Sequence, residues 1–140
     1  MTVRRTQQTL VLVLSAWVLG CGVYQKQTVE IDAGLPPSWI VIEYSNRRCQ
    51  NPGAFRQRLS VSPAGFACTA SELPAFMDWT CVRVDGNTRT ELRADEDYHP
   101  GSTMQLNNRK FQLIEYTPAG QRANENAQDA VYRYLKANPD

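Results

Sequence analysis

The sequence is 140 residues long, enough for one domain or for one domain with a tail. It is 42% hydrophobic and 21% charged, with eight Gly and eight Pro; this ordinary globular balance excludes a disordered, collagen-like or coiled-coil chain. Fifteen Lys+Arg against fourteen Asp+Glu give a formal net charge of +1, so no general basic field exists for nucleic acid and no acidic tail exists either.

The first element is a targeting segment. Arg4-Arg5 are followed by a mostly apolar run, Leu10 to Gly20, and then by Cys21. A positive start, a short apolar run and small residues at the cut form the layout of a secretory signal. Spanning a bilayer takes roughly 20 apolar residues, so the run is too short for a transmembrane helix. The Leu/Val-rich run suits the general secretory route better than twin-arginine export.

Val18-Leu19-Gly20-Cys21 resembles the lipobox of bacterial lipoproteins: aliphatic, variable, small, cysteine. The resemblance implies that the Cys21 thiol takes a diacylglyceryl group and that the Gly20–Cys21 bond is then cut, leaving Cys21 as an acylated N-terminus. Two or more acyl chains make a stable anchor. Residues 1–20 are thus expected to be a signal peptide. Loss of Arg4 and Arg5 leaves a formal net charge of −1, so lipid and not a polybasic patch would hold the mature chain at a membrane. By the general lipoprotein sorting rule, Gly22 in place of Asp favours the outer membrane if the source is Gram-negative.

Residues 21–37 are expected to be a lipid-anchored tether. Gln25-Lys-Gln-Thr is polar, Val29-Glu-Ile-Asp32 alternates like a short edge strand, and Gly34-Leu-Pro-Pro37 is turn punctuation. A β-rich globular domain is expected over 38–140. Trp39–Ser45 is its strongest strand, rich in β-branched and aromatic residues. Strands are also expected at Arg56–Ser62, at Phe66–Thr69 after the Pro63-Ala-Gly65 turn, and at Trp79–Val84. Asp85-Gly86 begins a hairpin turn into Thr88–Arg93. Ala94–Asn108 reads as polar and irregular, and Phe111–Thr117 as the last strand. Ala123, Ala127, Ala130, Val131, Tyr134 and Leu135 recur at helical spacing, predicting an amphipathic helix over about 122–137 that covers an edge or open end of the sheet. The fold class is mainly β: a single small β-sandwich or barrel-like domain with a C-terminal helix. Ile42-Glu-Tyr-Ser45 recurs as Ile114-Glu-Tyr-Thr117, which reads as two strands sharing one in/out alternation. Trp39, Tyr44, Trp79 and Phe111 are spaced as packing residues.

With Cys21 acylated, Cys49, Cys68 and Cys81 remain, and an oxidising compartment favours one disulfide among three pairings. Cys49–Cys68 is the favoured pairing. It ties the loop after the first strong strand to the strand after Pro63-Ala-Gly65, and stabilises by about 3 kcal/mol in the chain-entropy model. Cys81, mid-strand, then reads as a buried thiol acting as a small hydrophobe.

Candidate chemistry is sparse. Asp95-Glu-Asp-Tyr-His99 is the densest set of metal-ligating types, but it lacks the Gly and distal Glu of an EF-hand, and no second histidine exists for zinc. His99 is the sole imidazole base; a Ser102 or Cys81 nucleophile beside it can be written down, but no Gly-x-Ser-x-Gly elbow supports one. No catalytic residue, metal set or cofactor is assigned. Arg47, Arg48, Arg56 and Arg58 form a basic group around Cys49 that reads first as a charged loop and edge strand, and second as a contact for anionic lipid, lipopolysaccharide or an acidic partner.

Leu35–Tyr44, Asn46–Cys49 and Val61-Ser-Pro-Ala-Gly-Phe-Ala-Cys-Thr-Ala-Ser71 resemble a family of uncharacterised bacterial predicted lipoproteins. The resemblance spans about Leu35–Arg93 and implies a small exported β-rich domain. It supports the Cys49–Cys68 pairing and transfers no activity. The expected function is a lipid-anchored envelope protein acting as a non-catalytic binding or interaction module, with an envelope protein as possible partner. An inhibitor or immunity lipoprotein against an envelope enzyme or toxin is the alternative, and a small hydrolase using His99 a third.

Overall fold

The computed structural model describes residues 25–50, 56–73 and 77–140. Two open four-stranded sheets pack face to face, and one helix covers the outer face of the second, giving three layers. The first sheet has the order β3-β1-β5-β6, with β1 (Gln25–Asp32), β3 (Arg56–Ser60), β5 (Met77–Asp85) and β6 (Thr88–Glu91). The second has the order β4-β2-β8-β7, with β2 (Ser38–Tyr44), β4 (Phe66–Cys68), β7 (Tyr98–Leu106) and β8 (Arg109–Tyr116). The domain is a sandwich and not a closed barrel.

The burial patterns follow from the layering. A strand covered on both faces loses polar alternation, whereas one covered on a single face keeps it. In β2 the residues from Ile40 to Tyr44 are all buried, and in β8 all from Phe111 to Tyr116. Ile40, Ile42, Tyr44, Ile114 and Tyr116 face the first sheet, where they meet Val29, Ile31 and Cys81. Val41, Phe111 and Leu113 face the helix, where they meet Ala130, Val131 and Tyr134. The two Ile-Glu-Tyr segments therefore lie on neighbouring antiparallel strands with one shared alternation, Ile42 standing opposite Gln112 and Ile114 opposite Ile40.

Gln25–Asp32 departs from the expected tether and edge strand. It is an inner strand, paired in parallel with β5 along its length and with β3 over Lys26–Glu30. Val29 and Ile31 are fully buried, and Gln27 is buried too. Gln27 is tolerated there because Tyr44 Oη donates to its Oε1 at 2.5 Å while its Nε2 donates to Gln57 Oε1 at 3.3 Å.

The stretch expected to be irregular, 94–108, contains strand β7. Pro100-Gly101 disguised it: proline cannot donate to a ladder and is confined to edges and bulges. β7 is an edge strand, and its register against β8 shifts between Pro100 and Thr103. Gly101 is required there, since a Cβ would stand 2.6 Å from the Leu113 carbonyl oxygen. Asn107 and Asn108, both at positive φ, make the two-residue turn from β7 to β8.

The helix α1 (Ala127–Ala137) is shorter than expected and lies across the face of β2 and β8, not over an edge. It starts where Asn126 Oδ1 accepts from the Asp129 N–H at 2.9 Å. The preceding segment has other duties: Arg122 and the Ala123 N–H both donate to Glu115.

Candidate functional site

The first sheet begins, and β2 ends, at the same end of the sandwich, as the Tyr44–Gln27 bond shows. Here the chain leaves β2 through Ser45 at φ 59 and turns at Asn46, whose Oδ1 accepts from the Arg48 N–H at 3.0 Å. The turn brings Cys49 to Cys68 at the end of β4, and the two form a disulfide. Backbone bonds from Asn46 N to Thr69 O and from Ala70 N to Gln50 O continue the pairing beyond the strands.

Beside the disulfide, Glu43 and Arg109 form a two-point ion pair. Arg109 Nε donates to Glu43 Oε1 at 2.7 Å and Nη2 to Oε2 at 2.8 Å. The Glu43 side chain is 4% exposed and that of Arg109 13%. Oε2 also accepts from Tyr134 Oη at 2.6 Å and from Asn46 Nδ2 at 3.0 Å. Burial works to raise the Glu43 pKa, but the bonds from Arg109, Tyr134 and Asn46 together outweigh it and hold the carboxyl below its ordinary value. Arg109 is pushed up in turn, chiefly by its bond to Glu43. Its Nη1 reaches the Asn138 carbonyl at 2.8 Å and Asp140 Oδ1 at 3.3 Å, while Arg48 Nη1 reaches the Pro139 carbonyl at 3.3 Å. The residues after α1 are thus fastened to the disulfide loop.

Two clefts flank the disulfide, of about 540 Å³ toward β3 and about 510 Å³ toward the Glu43–Arg109 pair. Both are large enough for a small ligand or a peptide side chain. Both are bordered by Arg48, Cys49, Cys68, Tyr134 and Asn138. Of the basic group expected around Cys49, Arg47 and Arg48 line these clefts. Arg58 stands at the edge of one and pairs with Glu30 at 2.9 Å.

The other candidates lie elsewhere. Asp95, Glu96 and Asp97 form the turn before β7. Asp97 Oδ2 accepts from the Arg93 N–H at 2.8 Å, Glu96 pairs with Arg93, and Asp95 stands 3.9 Å from His99 Nδ1. The three carboxylates do not converge, and the described residues hold no cluster suited to a metal ion. Cys81 is a fully buried free thiol whose pKa burial pushes up to about 12. Gly20 and Cys21, the lipobox positions, lie outside the described residues. No described helix is long and apolar enough to cross a membrane.

The Glu43–Arg109–Tyr134 cluster was not singled out from the sequence. Its signal was the acid inside an apolar strand, Ile42-Glu43-Tyr44, since a buried carboxylate needs a partner. Glu115 in the matching segment behaves likewise, 4% exposed and bonded by Arg122.

No family model matches the sequence, and no curated protein matches it. The fold is similar to that of a solved structure, "Putative Lipoprotein from Bacillus anthracis", at a TM-score of 0.61 and 15% identity. The likeness covers 81% of this chain and 93% of that one.

Proposed function

We propose that the protein is an exported lipoprotein anchored through acyl groups on Cys21, whose sandwich domain is a non-catalytic binding or interaction module of the cell envelope. The observation that carries the reading is the order Arg4-Arg5, apolar run, Val18-Leu-Gly-Cys21, followed by β1 from Gln25. A signal of this kind delivers the chain to an oxidising compartment. The Cys49–Cys68 bond fits such a compartment, and a fold shared with a "Putative Lipoprotein" fits the reading as well. The non-catalytic half of the reading rests on chemistry. The Cys81 thiol is buried and keeps its proton at neutral pH, which makes it a poor nucleophile. The Glu43 carboxylate is committed to Arg109, Tyr134 and Asn46.

Expression of the full chain beside its Cys21→Ser variant tests the anchor. The wild type is expected in the membrane fraction, cut at Gly20–Cys21, and the variant uncut and without acyl groups. Equal processing and equal fractionation of the two would refute the anchor. A hydrolytic screen of wild type and His99→Ala tests the second half, and activity lost only in the variant would make the protein an enzyme.

A further inference from the structure

We infer that the end of the sandwich carrying the start of β1 is an anionic-lipid-binding surface, docked on the headgroups of the membrane that holds the acyl chains. The inference rests on the reading of Cys21 as the acylated N-terminus. From Cys21 the chain reaches β1 at Gln25 after four residue steps. Four steps span at most about 14 Å when fully extended. No long tether therefore exists, and the start of β1 is held within one to two screening lengths of the headgroups, since the Debye length is about 8 Å at physiological ionic strength.

The topology fixes what else lies at this end. β1 runs parallel to β3 and β5, with Lys26 opposite Arg56 and Asp78. Tyr44 opposite Lys110 closes β2 and opens β8 there, and the Tyr44–Gln27 bond ties the two sheets at this same end. The Arg109 bond to the Asn138 carbonyl brings the last turn of α1 there as well. Lys26, Arg47, Arg48, Lys110 and Lys136 all lie at this end and are exposed. The acids beside them are fewer: Asp78 next to Lys26, Glu72, and Asp140 against Arg109, while Glu43 is neutralised by Arg109. At the opposite end stand Asp32, Asp85, Asp95, Glu96 and Asp97; of the basic residues there, Arg89, Arg93 and Arg122 are occupied by Glu30, Glu96 and Glu115, and Arg83 bonds to Tyr116. A chain of near-neutral net charge is thus polarised along the strand direction, with its positive end next to the anchor. Basic residues at that distance are attracted by anionic phospholipid headgroups.

All three lysines of the chain lie at this end, which supplies the test. The full chain is expressed, acylated and purified, then inserted into vesicles of phosphatidylcholine or of an equimolar phosphatidylcholine–phosphatidylglycerol mixture. An impermeant amine reagent labels Lys26, Lys110 and Lys136, and a carboxyl reagent labels Asp85 and Glu96 at the far end. Lysine labelling is expected to fall about fivefold or more on the anionic vesicles relative to phosphatidylcholine. High salt should restore it, and carboxyl labelling should not change. Equal lysine labelling on the two vesicle types, with the protein still floating on both, overturns the docked end and leaves the anchor standing. A chain that does not float on phosphatidylcholine has no lipid anchor, and both readings fall together.

Discussion

Glu43 and Arg109 sit on neighbouring antiparallel strands and meet through two hydrogen bonds of 2.7 and 2.8 Å, with Tyr134 of the helix closing over the same carboxylate. One buried acid therefore ties together both middle strands of the second sheet, the helix and the turn at Asn46. Removing one partner leaves the other largely buried without its counter-charge. Arg109→Met is expected to cost about 3 kcal/mol or more in urea unfolding, because it leaves a buried unpaired carboxylate. The double variant Glu43→Gln/Arg109→Met should be more stable than Arg109→Met alone, and a double-mutant cycle on the unfolding free energies measures the coupling.

The same cluster sets the acid response. The folded carboxyl of Glu43 titrates below its ordinary value of 4.5. Its stabilisation is therefore complete above about pH 4.5 and is lost as pH falls through the lower folded value. The stability gap between wild type and Glu43→Gln is expected to be largest near neutral pH and to close in acid. Thermal unfolding of both proteins between neutral pH and acid checks this, and a gap that widens in acid would contradict it.

The Cys49–Cys68 bond closes a loop of sequence separation 19. The chain-entropy model gives such a loop about 3 kcal/mol. Replacing both cysteines with alanine should lower the stability measured by urea unfolding by about that amount. The fold itself should persist, because neither residue belongs to the buried apolar core.

Gly101 tests the bulge in β7. A methyl group there would meet the Leu113 carbonyl oxygen at 2.6 Å and the Trp39 ring at 3.1 Å, and the former is backbone that cannot swing aside. Gly101→Ala is expected to cost about 1–3 kcal/mol through overpacking. Amide exchange should show loosened protection in β7 and β8 first.

What the sequence revealed was local, and what it hid was not. Trp39–Tyr44 and Phe111–Tyr116 announced themselves because both faces are covered and most side chains are apolar or aromatic. The Asp85-Gly86 turn was legible because Gly86 adopts positive φ between paired strands. β1 was not, because its parallel partners β3 and β5 lie far along the chain and its buried Gln27 mimics an exposed polar residue. Pro100-Gly101 concealed β7, a strand that tolerates them only by being an edge with a bulge. The helix face was readable, but its start was not. Ala123 fits the apolar period yet serves Glu115, and the cap falls to Asn126. For the site, Arg47, Arg48 and the two cysteines were visible as residues near one another in sequence. Arg109 and Tyr134 were not, since only folding brings them to Glu43.

Intact mass spectrometry of the protein extracted from membranes, with and without reduction, reads the state of Cys21 and of the Cys49–Cys68 bond together. The expected mass is that of residues 21–140 plus acyl groups, rising by about two hydrogens on reduction as the Cys49–Cys68 bond opens. A full-length chain, or a cleaved chain without acyl groups, would contradict it. Cys21 would then return to the thiol pool, and the sandwich would have no lipid anchor.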